Sequence, residues 1–248
     1  MPPSREDIKA QIRAVFNENV RGRRADLTGY NRRHDGAHGD WLTKAMGLTV
    51  NGRNEPDMLG FEMKKQSPKI TFGDWSPTRS LFGRGGPLSR NDFLRAFGDD
   101  PSTLGRYSWS GKVFPRVNHT NLAGQTMAVL DNSDIIARYD YTRDLRGTKD
   151  ADVPKHLRVV DLALASWEHG TMRSRVENKF NQLGWFKCLT DSSGIYTTIK
   201  FGKPITFETF IMLVRTGDVF LDCGMYQGNP RPYMNWRASS AVWDRLAE

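Results

Sequence analysis

Cysteine is scarce in this chain, and long apolar runs are absent. The two cysteines, Cys188 and Cys223, lack the CxxC spacing of a zinc or redox site. Both lie in apolar, strand-like surroundings, so we expect buried, reduced thiols rather than a disulfide framework. No stretch is apolar for long enough to span a membrane, and the first residues lack the apolar core of a signal peptide. The sequence therefore predicts a cytoplasmic protein with no membrane partner.

Acidic residues are outnumbered by basic ones. The chain has 28 acidic and 36 basic residues, which gives a formal net charge of +8 at pH 7. Of the basic residues 24 are arginine, whose planar guanidinium matches phosphate and the edge of guanine. This composition favours a polyanionic partner through counterion release, and nucleic acid is the partner we expect.

Several catalytic signatures are also missing. The sequence contains no Walker phosphate-binding loop and no glycine-rich motif for binding a dinucleotide. It also has no arrangement of serine, histidine and aspartate typical of a hydrolase triad, and no internal repeat. What remains is the stretch 55–64, EPDMLGFEMK, which contains two carboxylates and an amine at Asp57, Glu62 and Lys64. Side chains of a strand alternate between faces, so Glu62 and Lys64 share one face while Phe61 and Met63 enter the core from the other.

This trio has the chemistry of a metal-dependent phosphodiesterase. Asp57 precedes the strand by a few residues, from where its carboxylate can approach Glu62. Two carboxylates plus a substrate phosphate suit Mg²⁺, and a neighbouring ammonium can orient water and stabilise developing charge. The spacing alone is unspecific, and a solvated strand face with a Glu-Lys pair is the alternative.

Regular elements are expected mainly near the start and in the second half. Ser4 is expected to cap a first helix. Residues 65–155 are polar and rich in glycine and proline, and most of their aromatic side chains are expected to pack in the core. Further on we predict a helix around 172–183, strands at 185–189, 195–201 and 219–226, and a helix capped by Thr206 that ends near Gly217. The alternation indicates a mixed α/β fold.

Short blocks with a recognisable order are spread along the chain. They are 38–48 (HGDWLTKAMGL), 56–57 (PD), 61–64 (FEMK), 70–72 (ITF), 93–98 (FLRAFG), Trp167, Lys179, 216–219 (TGDV) and 236–237 (WR). In this order the blocks resemble the MvaI/BcnI-type restriction endonucleases, which are related to MutH. The resemblance covers most of the chain.

The resemblance implies a PD-(D/E)XK nuclease, with a mixed central sheet flanked by helices and two lobes around a DNA cleft. It implies one endonuclease domain over residues 1–248, with the catalytic residues in the N-terminal part and the recognition lobe mainly in the C-terminal part. Asp57 and Glu62 would bind Mg²⁺, and Lys64 would position the attacking water. The implied DNA contacts are Lys69, Lys179, Arg231 and Arg237.

The implied activity is that of a type II restriction endonuclease. Such an enzyme hydrolyses double-stranded DNA at a specific sequence and leaves 5′-phosphate ends. The resemblance also implies a monomer, and a cognate DNA methyltransferase acting on the same site is a further expected partner.

The chain departs from the family pattern at three places. Thr43 stands where relatives have a helix glutamate, so this acidic group is absent unless Asp40 or Glu55 supplies it. The number of metal ions, one or two, therefore stays open. Asp74 replaces a histidine, and we assign it no role. Near the C-terminus, 230–232 (PRP) replaces a His-Asp pair. Aspartate accepts a hydrogen bond from cytosine, whereas arginine donates hydrogen bonds to guanine. The DNA sequence that this protein recognises is therefore expected to differ from those of the relatives.

Two other functions remain open. One is a MutH-like endonuclease that nicks a single strand during mismatch repair. The other is a DNA-binding module without catalysis, against which the intact Asp57, Glu62 and Lys64 argue. For both Arg231 and Arg237, pairing with a surface acid is the alternative to DNA contact.

Overall fold

The computed structural model describes residues 2–30, 36–50, 52–83, 85–99, 105–111 and 114–248. The chain forms two compact units, the first from residues 1–70, 175–206 and 239–248 and the second from 71–174 and 207–238. The described helices are α1 (Arg5–Asn19), α2 (Ala37–Ala45), α3 (Arg90–Phe97), α4 (Lys149–Asp152), α5 (His169–Phe180), α6 (Phe207–Arg215) and α7 (Ser240–Arg245). The described strands are β1 (Phe61–Lys65), β2 (Lys69–Asp74), β3 (Arg79–Ser80), β4 (Ser108–Trp109), β5 (Ala123–Val129), β6 (Ile135–Asp144), β7 (Leu162–Trp167), β8 (Gly184–Thr190), β9 (Tyr196–Gly202), β10 (Val219–Tyr226) and β11 (Tyr233–Ser239).

The first unit is built on a mixed sheet with the order β1-β8-β9. Strand β1 runs parallel to β8 with Lys64 opposite Lys187, and β8 runs antiparallel to β9. One face of this sheet packs on α1 and α2 through a buried apolar cluster. The cluster contains Ile12, Phe16, Val20, Leu42, Met46, Phe61, Met63, Phe186, Cys188, Tyr196 and Phe201.

Helix α1 begins where the sequence predicts. The Ser4 hydroxyl accepts a hydrogen bond from Asp7 N at 3.2 Å, and the Asp7 carboxylate accepts from Ser4 N at 2.9 Å. This capping box satisfies two amide groups that a helix start leaves without partners. The helix is therefore fixed at its first turn, and Ile12 and Phe16 face the core.

The second unit contains two four-stranded sheets, with the orders β2-β11-β10-β4 and β3-β7-β6-β5. A buried glutamine connects its elements: Gln125 accepts from Trp109 Nε1 at 2.7 Å and donates to Phe97 O at 2.6 Å. Burying an amide requires such partners for both its donor and its acceptor. Strand β5 is thereby held to the C-terminal end of α3 and to β4.

Most predicted elements are confirmed. The strand at 219–226 has the bounds of β10, and the helix that follows Thr206 is α6. The helix expected around 172–183 begins and ends earlier, as α5. Strands β5 and β6, which lie within the polar segment 65–155, were not predicted. The aromatic residues of that segment are mostly buried, as expected, including Phe72, Trp75, Phe82, Phe93, Phe97, Trp109 and Phe114.

The cysteine prediction is also confirmed, because Cys188 and Cys223 are free and buried. Burial raises the pKa of both thiols, which keeps them protonated and unreactive. In the part of the chain that the structure describes, no helix has both the length and the apolar character needed to cross a membrane.

Candidate active site

Glu62 and Lys64 lie side by side on strand β1, on the face opposite the apolar cluster. Lys64 Nζ donates to Glu62 Oε1 at 2.7 Å. Both side chains are buried, with residue exposures of 2% and 9%. The Lys64 ammonium also lies 5.2 Å from the ring centre of Phe180 and 5.8 Å from that of Trp243. The expected division of β1 into a polar and an apolar face is therefore present, although the polar face is not solvated.

Asp57 is held against the same strand. Its Oδ2 accepts a hydrogen bond from Met63 N at 2.9 Å, while the residue itself is exposed. Its charge acts on Glu62, since it contributes to raising the pKa of that carboxyl. The structure thus places the three residues of the sequence motif in one cluster, with one carboxylate buried and one accessible.

Lys179 joins this cluster from helix α5. Its Nζ lies 3.2 Å from Glu62 Oε1, the oxygen that also accepts from Lys64. The other oxygen, Glu62 Oε2, is buried and has no hydrogen-bond partner among the described residues. A buried carboxylate oxygen without a partner is costly unless a donor or a cation reaches it.

The charges in the cluster depend on one another. Burial raises the pKa of Glu62, and the ammonium groups of Lys64 and Lys179 oppose that rise. Burial lowers the pKa of Lys64, and the Glu62 carboxylate opposes that change. Removing one partner would leave the other charge buried without compensation, which proteins avoid.

The residues present fit a Mg²⁺ ion. Glu62 Oε2 has no hydrogen-bond partner in the described part of the chain, and Asp57 presents a second, accessible carboxylate. Among the described residues there is no group of three or more His, Cys, Asp or Glu side chains that could hold a metal. Two carboxylates are nevertheless what Mg²⁺ commonly takes from a protein when a phosphate and water complete its octahedron.

The position of the family glutamate is occupied by a residue engaged elsewhere. On helix α2 the Thr43 hydroxyl donates to Gly39 O at 2.9 Å, within its own helix. Asp40 and Glu55 are both described, and neither forms a metal-holding group with Asp57 and Glu62. In the described part of the chain no third acid thus replaces the missing glutamate.

The basic residues expected at DNA occupy different environments. Lys69, at the start of β2, and Arg231, after β10, are exposed. Arg237 on β11 lies 3.1 Å from Asp222 Oδ2 on β10 and is only partly exposed. This ion pair is the alternative considered for Arg237, whereas the DNA contacts of all four basic residues stay predictions.

Asp74, which had no assigned role, has a structural one. Its Oδ1 accepts from Met234 N at 2.7 Å and so joins the end of β2 to β11 within the second unit. The contact between Lys179 and Glu62 was not predicted from the sequence. The only sequence signal for Lys179 was its place in the family pattern. That pattern indicates a functional lysine but does not show that it contacts Glu62.

Three known proteins or families are similar to this chain. The family model of the LlaMI restriction endonuclease matches residues 20–248. The type II restriction enzyme ScrFI of Lactococcus lactis subsp. cremoris is 41% identical over 96% of each chain. A structure of the restriction endonuclease MvaI with its cognate DNA substrate covers 100% of this chain and 98% of its own, with a TM-score of 0.60 and 13% sequence identity. At that identity the likeness concerns the fold alone, and it confirms the predicted fold class.

Proposed function

Because the chain belongs to the LlaMI restriction endonuclease family, we propose that Asp57, Glu62 and Lys64 form the active site of a Mg²⁺-dependent type II restriction endonuclease. Membership makes the protein a site-specific deoxyribonuclease that acts on double-stranded DNA. The observation that carries the metal assignment is the Glu62 carboxylate. One of its oxygens contacts two lysines, and the other is buried with no hydrogen-bond partner from any residue that the structure describes.

The carboxylates would bind the metal and bring the scissile phosphate to it. Glu62 Oε2 and the Asp57 carboxylate would hold Mg²⁺, and a phosphate oxygen would complete the site. When bound, Mg²⁺ would supply Lewis-acid polarisation of the phosphate. Asp57 is suited to this role because its Oδ2 is fixed by Met63 N while the residue stays accessible to the substrate.

Lys64 would orient the attacking water and stabilise the charge that develops on the phosphate. Its ammonium is held in place by Glu62 Oε1 at 2.7 Å, so no reorganisation is needed when the substrate arrives. Burial lowers the pKa of Lys64, which eases loss of a proton from its ammonium. In-line attack of water on phosphorus breaks the bond to the 3′ oxygen; the water loses a proton to solvent and the departing oxygen gains one, which gives a 5′-phosphate and a 3′-hydroxyl.

The first test is digestion of a long phage DNA with purified protein, with and without Mg²⁺, beside the variant Lys64→Ala. Lys155→Ala serves as the matched control, because Lys155 is an exposed lysine of the second unit. We expect discrete fragments that need Mg²⁺, persist in the control and are missing with Lys64→Ala. Fragments that persist with Lys64→Ala would contradict the active-site assignment.

The same digest separates the alternatives. A MutH-like nicking enzyme would convert a supercoiled plasmid only to open circles, whereas a restriction enzyme gives linear fragments of fixed length. A module without catalysis would bind DNA in a gel shift and leave it intact. The relationship to a type II restriction enzyme at 41% identity supports cleavage of both strands.

Further properties belong to the same proposal. We propose one endonuclease domain over residues 1–248, a monomer in solution, a cytoplasmic location and a DNA methyltransferase that protects the same site. The candidate catalytic residues lie in the first compact unit, and Arg231 and Arg237, proposed for recognition, lie in the second. The molar mass from light scattering, measured with and without a duplex that contains the mapped site, would test whether the protein is a monomer.

A further inference from the structure

Leu59 breaks two local preferences at once. Its φ angle is +51°, a left-handed conformation that is unfavourable for a branched apolar residue. Its side chain is also 53% exposed to water. The other described non-glycine residues with positive φ are short and polar: Asn118, Ser133 and Asp161. Leucine at this position is therefore favoured neither by the backbone nor by solvent.

The turn that contains Leu59 is a tight hairpin. Met58 N donates to Phe61 O at 2.9 Å, and Phe61 N donates to Met58 O at 2.8 Å. The two residues between them, Leu59 and Gly60, both have positive φ, at +51° and +85°. These signs are those of a type I′ turn, in which asparagine followed by glycine is preferred. An asparagine at residue 59 would fit this backbone better than leucine does.

The turn is held firmly beside the candidate active site. Asp57 Oδ2 accepts from Met63 N at 2.9 Å on one side, and Leu183 N donates to Gly60 O at 3.0 Å on the other. Leu59 follows Asp57 by two residues and precedes Glu62 by three. Three residues of chain span at most about 11 Å, so the bases beside a phosphate bound at these two carboxylates would be within reach of this exposed aliphatic side chain.

We propose that Leu59 is an apolar wedge that enters the DNA duplex next to the scissile phosphate and unstacks the adjacent base step. Leucine is among the residues that proteins insert between base steps to kink a duplex. Violations of local preference are expected where they serve function. The wedge would place the phosphate for attack, because small displacements of the reacting atoms strongly affect the rate. This proposal rests on the function proposed above.

The test uses the variants Leu59→Asn, Leu59→Gly and Leu59→Met, with Leu122→Asn as the matched control. Leu122 is an exposed leucine (72%) in the second unit. Three quantities are measured: the melting temperature, the single-turnover cleavage rate, and the fluorescence of 2-aminopurine placed beside the mapped cut position with saturating protein in EDTA. Unstacking of the base raises this fluorescence.

We expect Leu59→Asn and Leu59→Gly to melt about 2 °C higher or more, because both residues tolerate positive φ. We expect the same variants to cleave about tenfold more slowly or worse and to lose the fluorescence rise. Leu59→Met and the control should keep both the rate and the rise. The wedge proposal would be overturned if Leu59→Asn melted at a higher temperature but cleaved as fast as the wild type and kept the fluorescence rise.

Failure of the wedge can be told apart from failure of the proposed function. If Asp57→Ala still cleaves, the active site lies elsewhere and both proposals fall. If Asp57→Ala is inactive while Leu59→Asn is fully active, the active site stands and Leu59 is only a turn residue.

Discussion

Lys179 Nζ lies 3.2 Å from Glu62 Oε1, so a residue of helix α5 shares a buried carboxylate oxygen with the lysine of the sequence motif. The second lysine helps to keep Glu62 ionised despite its burial, which raises the pKa of the carboxyl. Both lysines contact Oε1, whereas Oε2 accepts no hydrogen bond within the described ranges. We therefore propose for Lys179 a positioning role that differs from the DNA contact predicted for it.

The first prediction separates these two roles. Lys179→Met should lower kcat about 10- to 100-fold, the usual effect of removing a group that orients a metal ligand, and should raise the Mg²⁺ concentration needed for half-maximal cleavage. The salt dependence of DNA binding should stay unchanged. Lys179→Arg should recover part of the activity, because it keeps the positive charge.

Lys155→Met is the control for Lys179→Met, since Lys155 is an exposed lysine of the second unit. Cleavage rates over a Mg²⁺ titration, with binding measured at several salt concentrations, give the answer. A lower salt slope with unchanged kcat would return Lys179 to the class of phosphate contacts.

The second prediction concerns Asp57. Asp57→Ala should abolish cleavage while DNA binding stays equal or improves, because the variant removes a metal ligand and also a negative charge that repels phosphate. Binding is measured by fluorescence anisotropy in EDTA, and cleavage is measured with Mg²⁺. Asp131→Ala, which removes an exposed carboxylate of the second unit, is the matched control. If binding and cleavage were lost together in Asp57→Ala alone, Asp57 would be a structural residue.

The local part of the active site could be predicted from the sequence, and the distant part could not. Glu62 and Lys64 face the same way because strands alternate, a rule that needs only the residues 61–65. The contact of Lys179 with Glu62 joins residues 117 positions apart, and no local pattern specifies such a pairing. Asp74 and Arg237 have partners on neighbouring strands for the same reason.

Strand β6 shows a signal that was present but weak. Ile135, Ala137 and Tyr139 alternate with less buried residues, which is the period of a strand with one face in the core. The small Ala137 and the charged Arg138 lower the apolar content of the segment. Its pairing with β5 and β7 supplies the stability that the local sequence does not show.

The third prediction concerns recognition. Arg231→Ala should relax the choice of site, with a loss of about 1–3 kcal/mol of discrimination against sites that differ by one base pair. Lys69→Ala should instead weaken binding equally for all sequences and lower the salt slope by about one. Both residues are exposed, so truncation of either should leave the fold intact. Cleavage rates on a set of single-base variants of the mapped site provide the comparison, and a uniform loss with Arg231→Ala would contradict its role in recognition.

The fourth prediction concerns acid stability and the buried pair Asp144 and Arg146 in the second unit. Arg146 Nη2 donates to Asp144 Oδ2 at 2.6 Å, and the guanidinium also donates to Gly98 O and Ala96 O at 2.7 and 2.8 Å. Burial by itself would raise the pKa of Asp144, but the hydrogen bonds and charge of Arg146 hold it below its usual value. The pair thus joins the end of β6 to the end of α3.

A carboxyl whose pKa is lowered by folding stabilises the protein above its unfolded pKa, and this contribution is lost as pH falls through the lower, folded value. This loss of stability should therefore occur below about pH 4, the usual pKa of aspartate.

Asp144→Asn should lower the free energy of unfolding by about 3 kcal/mol at pH 7, because it leaves Arg146 buried without its charged partner. The variant should then lose less further stability in acid than the wild type does. Asp131→Asn, which removes an exposed carboxylate of the second unit, is the control. Urea unfolding from pH 7 to pH 3 measures both effects, and an equal acid dependence in Asp144→Asn and the wild type would show that this pair does not govern acid stability.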